Sequence, residues 1–414
     1  MVNRDRILII SESIDVEDSS GSKANVALIQ NFAAGGFGVR VLHYTRKDIK
    51  LPEIDCIAIR ERKFTANYFL SRTQRVLQRL FDTNFSHFLE NRFGFSFTYF
   101  NDSRSIANAI KQNYSGEDLI LTLSKGASFR PHHAMLQVPK LHDKWMAYIH
   151  DPYPFHCYPP PYNWTEAGHR QKEDFFREVS EKARYVAFPS LKLKDWMAQF
   201  FPAFTDKSII IPHQFSEQDN NDTAIPDYFD TSKFTVLHAG NMMKQRDPFP
   251  LLEAWVKFLK ENAQAREESQ LLLIGPASYH QPRLSEKAAH MPSVHISEGY
   301  ETYETVKRME QSASVNIILE AVAELSPFLP GKFPHLVMAN NPILYLGPKN
   351  SETVRLLGEA YPWQSTADDI ETITERLQEL YSIWAEDKNS FKLDRPDLME
   401  YLSASSLKGQ FKTI

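Results

Sequence analysis

Cysteine is nearly absent: Cys56 and Cys157 are the only two in 414 residues. That is too few for a disulfide framework, and a reducing cytoplasm is the expected compartment. No run of 18 apolar residues occurs, so no segment reads as a membrane-spanning helix. The opening MVNRDRILIISES is too polar after its short apolar run to read as a signal peptide. Positive charge is not in excess either: 47 Lys and Arg stand against 52 Asp and Glu, a net charge of −5. A general nucleic-acid binder would be basic, so nucleic acid is not expected as a partner, and any polyanion must be met locally. A Walker loop is missing as well. SPFLPGKF (326–333) lacks the first glycine and the Ser or Thr after the lysine, which leaves ATP hydrolysis unsupported. Internal repeats and low-complexity tracts do not occur.

What is present is an alternation. Short β-rich runs lie at 7–11 (ILIIS), 39–44, 119–123, 145–150, 185–190 and 209–213, separated by helical patterns. After the polar stretch 216–233 the alternation restarts, with runs at 234–240 (FTVLHAG), 271–275, 293–299, 315–320 and 342–346. This is the pattern of βα units around parallel sheets. The expectation is α/β: two tandem Rossmann-like, doubly wound domains with a deep interdomain cleft, over 1–213 and 214–390, a linker near 213–232, and a helical tail at 391–414 that packs back on the first domain. The glycines of AAGGFGVRV (33–41) follow a helix and precede a strand, the reverse of a dinucleotide fingerprint, so Gly35 and Gly36 read as a left-handed helix cap. SSGSKAN (19–25) does lie between the first strand and first helix. Gly21 there lets backbone N–H groups approach a phosphate or sugar, or else Ser20 or Ser22 is an ordinary N-cap.

Two strand-to-helix loops of the second domain carry cations. In GKFPHLVMAN (331–340) Pro334 suits the first turn of a helix, which places Lys332 at its start. In HAGNMMKQRDP (238–248) a strand ends at Gly240 and a loop bearing Lys244 and Arg246 leads to a helix at about 248–261. Both loops are at the ligand-binding end of the sheet, and two converging cations suit a diphosphate.

The second half resembles the family 4 glycosyltransferases of the GT-B fold. HAGNMM with Arg246 resembles that family's Gly-rich loop and basic residue, and SPFLPGKFPHLVMANNPIL (326–344) resembles its donor loop. Weaker echoes occur in the first half, in SSGSKAN, AYIHDPYPF and IIIPHQ. The resemblance implies metal-independent transfer, normally with retention, of a sugar from a UDP- or GDP-sugar to an acceptor hydroxyl, with no cofactor beyond that substrate. It implies that Arg246 and Lys332 hold the diphosphate and stabilise the leaving group, that Gly240 lets the backbone approach it, and that Gly21, Asn241, Ser326, Glu324 and His335 complete the donor site. His150 matches the histidine that faces the donor sugar, with Asp151 to orient it or touch the acceptor. The pattern also departs from the family: of two glutamates spaced eight apart, the first aligns with Pro327 and the second, the ribose ligand, with His335. Glu320 and Glu324 lie close enough to stand in for the first. Nucleotide-sugar 2-epimerases share the fold, and a non-catalytic nucleotide-sugar binder fits the same departures.

For the acceptor, SKGASFRPHH (124–133) follows another strand end and offers Ser124, Arg130 and His132. HDPYPFHCYPPPYNW (150–164) adds Tyr153 and further rings suited to stacking on sugars. Residues 60–80 carry Arg60, Arg62, Lys63, Arg72, Arg75 and Arg79 against Glu61, and 64–100 hold eleven Phe or Tyr. Either this is an insertion packed on the first domain, or it is a peripheral surface for an anionic membrane and a lipid-linked glycan acceptor, as in surface polysaccharide assembly.

Overall fold

The computed structural model describes residues 6–81, 86–215, 223–388 and 391–411. They form two compact units, 1–214 with 403–414 and 215–402. Of the expected linker, residues 216–222 lie outside the described residues, as do 82–85 of the basic aromatic stretch.

The apolar runs become strands because each can be buried on both faces by helices, which parallel sheets require. In unit one they are β1 (Arg6–Ser11), β2 (Gly38–His43), β3 (Asp55–Ala58), β4 (Leu119–Leu123), β5 (Trp145–Tyr148), β6 (Tyr185–Phe188) and β7 (Ser208–Ile210), in the order β3-β2-β1-β4-β5-β6-β7 with every pair parallel. Within β1, Leu8 and Ile10 enter one apolar cluster and Ile7 and Ile9 another, one on each sheet face. The helix Ser20–Ala34 follows β1. Its N-cap is Ser19, whose hydroxyl accepts from the Ser22 N–H at 3.1 Å, in place of the expected Ser20 or Ser22. It ends with Gly36 left-handed at φ +86° while Gly35 stays helical at φ −67°, so one glycine, not two, supplies the turn. The tail helix Ala404–Phe411 belongs to this unit and sets Phe411 edge-on to Phe32 at 4.9 Å.

Unit two contains β8 (Phe234–Ala239), β9 (Ser269–Ile274), β10 (Val294–Ile296), β11 (Val315–Leu319), β12 (Leu325–Ser326), β13 (Ile343–Leu346), β14 (Asn350–Ser351) and β15 (Gln364–Ser365). Its main sheet runs β10-β9-β8-β11-β13-β15, all parallel, and β12 pairs with β14 alone. Numbered within its own unit, each main sheet has the order 3-2-1-4-5-6, extended by a seventh strand in unit one. The reversal of winding lies between β1 and β4 in the first and between β8 and β11 in the second, where α/β sheets bind ligands. Among the described residues no helix is long and apolar enough to cross a membrane.

Candidate functional site

In unit two, β8 and β11 pair only at Val236–Val315 and Leu237–Asn316, although β8 runs on to Ala239 and β11 to Leu319. The strands therefore part at their carboxyl ends, and carbonyls that a ladder would have satisfied face the gap. Lys332 fills it. The lysine stands just before the seven-residue helix Phe333–Ala339 and folds back, its ammonium donating to the Ile317 carbonyl at 2.9 Å and the Ala239 carbonyl at 3.1 Å. Its Nζ is also 3.3 Å from His238 Nδ1. An ammonium only donates, so Nδ1 accepts and the ring proton is left on Nε2, which is buried and without a partner among the described residues. Burial holds His238 well below the usual histidine range, reinforced by the charges of Lys332 and Arg246, so its ring is neutral.

The expected free cation is thus a held one, with consequences for its charge. Burial pushes Lys332 down to about 7; Arg246 pushes the same way, while Glu310 and Glu320 oppose it. Glu320 follows β11 directly and is buried, accepting from the Thr353 hydroxyl at 3.3 Å. Burial raises its carboxyl above the ordinary value, against the pull of Arg246 and Lys332 among others. The effect of its charge on Lys332 and Glu320 places Arg246, half-buried on the loop after β8, in their electrostatic neighbourhood. Gly240 completes it: a Cβ there would lie 3.5 Å from both Lys332 Nζ and His238 Nε2, so the glycine leaves a hollow bordered by an ammonium and a buried N–H. The loop is held close by Gly275, whose φ is +120° and whose Cβ would meet the Gly240 carbonyl at 2.5 Å.

The other expected donor residues are spread more widely. Ser326 is buried on β12, and His335 is buried with Nε2 3.0 Å from the Tyr303 hydroxyl. Asn241 and Glu324 are exposed, so of the two glutamates that could replace the missing one, Glu320 is the one inside the site.

In unit one Gly21 occupies the first turn of its helix, where a Cβ would come within 3.3 Å of the Gly126 nitrogen. The strands β1 and β4 stay paired to Ser11–Leu123, and just past them stands a carboxylate, Glu12, whose N–H donates to the Leu123 carbonyl at 3.0 Å. It accepts from the Lys125 N–H at 3.2 Å, from the Ser128 hydroxyl, and from Arg130 at 2.7 Å; Arg130 also pairs with Asp102 at 3.2 Å. Beside it lies a cavity of about 170 Å³ whose walls include Arg130, Tyr99, Tyr153, Glu90, Glu166 and Lys172. Lys172 is buried, paired with Glu166 and 3.6 Å from Glu90. Arg130 and Tyr153 therefore meet at this cavity, whereas Ser124 and His132 do not line it. His132 sits beneath the sheet end with Nε2 3.1 Å from the Tyr148 carbonyl, pushed down to about 3 by burial. His150 is buried, lies parallel to His213 at 5.8 Å, and is held well below the histidine range by burial, so it too is neutral. Asp151 follows it, half-buried.

Sequence reasoning did not single out His238, Glu12, Glu166 or Lys172. A signal existed for the last: Lys172 shares a helix face with Phe175, Phe176 and Val179, and a lysine on an apolar face needs a buried partner. Among the described residues no cluster of three His, Cys, Asp or Glu side chains could hold a metal ion.

No protein-family model and no curated protein matches the chain. Solved structures do. A UDP-forming α,α-trehalose-phosphate synthase from Burkholderia xenovorans is similar at TM-score 0.65 and 11% identity, over 99% of this chain and 98% of that one. A trehalose-6-phosphate structure from E. coli, bound with UDP-2-fluoro glucose, is similar at 0.64 and 10%, over 99% and 98%. HepE from Anabaena, in complex with UDP and glucose, is similar at 0.56 and 12%, over 98% and 95%. At such identities the likeness concerns the backbone, and it shows that this chain has the GT-B fold of two Rossmann-like units without singling out family 4 within it.

Proposed function

We propose that the chain is a glycosyltransferase that moves a sugar from a nucleoside diphosphate sugar to an acceptor hydroxyl. The observation that carries this reading is the hollow at Gly240, bordered by Lys332 Nζ and His238 Nε2 at the winding reversal of unit two and influenced by Arg246. In this reading the diphosphate lies in the hollow. The bond from the anomeric carbon to the β-phosphate oxygen breaks, and the electron pair leaves with the nucleoside diphosphate. Lys332 and Arg246 stabilise that charge, and His238 Nε2–H donates to it. The acceptor oxygen bonds to the anomeric carbon with retention, and its proton passes to the departing phosphate. Because the two cations supply the countercharge, neither metal nor other cofactor is required. The neutral His150 suits a hydrogen bond to a sugar hydroxyl, with Asp151 beside it. The unit-one cavity, with Arg130 and Tyr153 in its wall, takes a sugar of the acceptor, a glycan or lipid-linked saccharide. Uridine is the favoured base, since structures of this fold were solved with UDP or a UDP-sugar.

Thermal-shift screening of UDP, GDP and their sugars tests the reading, since a ligand at 100 times its Kd stabilises by about 2.7 kcal/mol. A shift with a UDP-sugar, followed by its consumption when a saccharide acceptor is added, is the expected result. Epimerised free donor in the absence of acceptor would assign the chain to epimerisation, and no shift with any nucleotide would remove the reading.

A further inference from the structure

The helix Ala66–Phe81 is turned inside out. A surface helix normally faces its apolar stripe to the core. Here Asn67, Tyr68, Ser71, Gln74 and Gln78, all with polar groups and on one side of the helix, are the residues drawn toward the rest of unit one. Phe69, Leu70, Val76, Leu77 and Leu80 stand outward, 40% to 72% exposed. The seat is polar too: the Thr65 hydroxyl donates to Asn101 at 2.5 Å, the Arg62 N–H to the Ser105 hydroxyl at 3.0 Å, and Arg75 to the Thr98 hydroxyl at 3.2 Å. At 100° per residue the apolar row occupies one face, and Arg72, Arg75 and Arg79, all exposed, run along its flank. Arg62, Lys63 and the 92% exposed Phe64 continue the same character ahead of the helix. From Arg62 to Leu80 there is no acidic residue, in a chain whose net charge is −5.

We infer that this face docks on an anionic lipid bilayer, the helix lying in the interface with its apolar row among the acyl chains and its arginines at the headgroups. Charge complementarity selects that occupant, because pairing two copies of the chain through the same face would bring like charges together. Glu90 and Phe95, on the segment that follows, line the unit-one cavity, which on the glycosyl-transfer reading takes the acceptor. The docking itself does not rest on that reading.

Vesicle flotation tests it, with phosphatidylcholine alone and with an equal mixture of phosphatidylcholine and phosphatidylglycerol, each at low and high salt. The wild type is expected to float with the anionic vesicles and less so at high salt, since the headgroup field is screened. Replacing Arg72, Arg75 and Arg79 by Gln should weaken partitioning on the order of a hundredfold. Leu77→Ser with Leu80→Ser should weaken it at both salt levels. Circular dichroism of both variants verifies folding, and UDP binding, measured in parallel, reports on the donor site independently. Absence of wild-type flotation with anionic vesicles at low salt overturns the inference, as does a dimer of the wild type that the leucine variant abolishes.

Discussion

The two units place the same architectural feature under opposite charge. In both sheets winding reverses between the first and fourth strands, and in both an ionisable side chain stands at their carboxyl ends, in unit two within the gap where the strands part and in unit one just past strands that stay paired to Ser11–Leu123. In unit one it is Glu12, enclosed by Arg130, the Lys125 N–H and the Ser128 hydroxyl. In unit two it is Lys332, held by two carbonyls and a neutral imidazole. The carboxylate is matched by a full opposite charge nearby. The ammonium has dipoles as its direct partners and a second cation close enough to lower its proton affinity, with Glu310 and Glu320 opposing from a distance. The fold supplies the place, and strand pairing and side-chain chemistry decide which one remains receptive to an anion.

That contrast breaks most sharply under substitution. Arg246→Ala and Lys332→Gln should each cut turnover on the order of a hundredfold or more, as loss of one preorganised charge contact does. Initial rates with a UDP-sugar measure this, and the glutamine retains a donor for the Ala239 or Ile317 carbonyl. Arg130→Met should behave in the opposite way. It leaves Glu12 without its cation, while Asp102 keeps Arg46 at 3.0 Å, and should cost about 3 kcal/mol of stability, read by denaturant unfolding, while UDP affinity stays near wild type.

Acidity sharpens the comparison further. Lys332 has its proton affinity lowered in the folded chain to about 7 from the free value of 10.5, so folding disfavours its charged form. That cost is fully present below about pH 7 and fades as pH rises toward 10.5, so this residue's contribution to stability improves over that window. Donor binding runs the other way, because the diphosphate favours the ammonium. Affinity for a UDP-sugar, whose phosphates do not titrate here, should fall by up to about tenfold per unit above pH 7, and Lys332→Gln should abolish the dependence. Proton uptake seen by calorimetry in buffers of different ionisation enthalpy checks it. The smallest effect belongs to Gly240→Ala. The new Cβ would make ordinary contacts with Lys332 and His238, so the fold should hold, but filling the hollow should cost about 1 kcal/mol of UDP-sugar affinity, measured by titration.

Much of this was legible in the residues, and the exceptions share a cause. The buried strands announced themselves by unbroken apolar runs such as ILIIS and LILTL. The short edge strands β3 and β15 did not, since a two- to four-residue edge carries little pattern. Lys332 and Arg246 stood out because each occupies a loop after a strand. The partners of Lys332 did not: His238 and Ala239 lie more than ninety positions away, and only the parting of β8 from β11 brings them together. Glu320 and Glu324 were equivalent in sequence until the end of β11 fixed one inside and left the other exposed. The helix Ala66–Phe81 gives the general lesson: periodicity reveals two faces, but which face docks depends on its neighbours.

The most direct test of the donor site is a calorimetric titration of UDP into the wild type and Lys332→Gln at neutral pH in the presence of EDTA. Saturable binding to the wild type without metal and a large loss in the variant are the expected results. Equal affinity in the two proteins, or wild-type binding only when a divalent metal is restored, would contradict them.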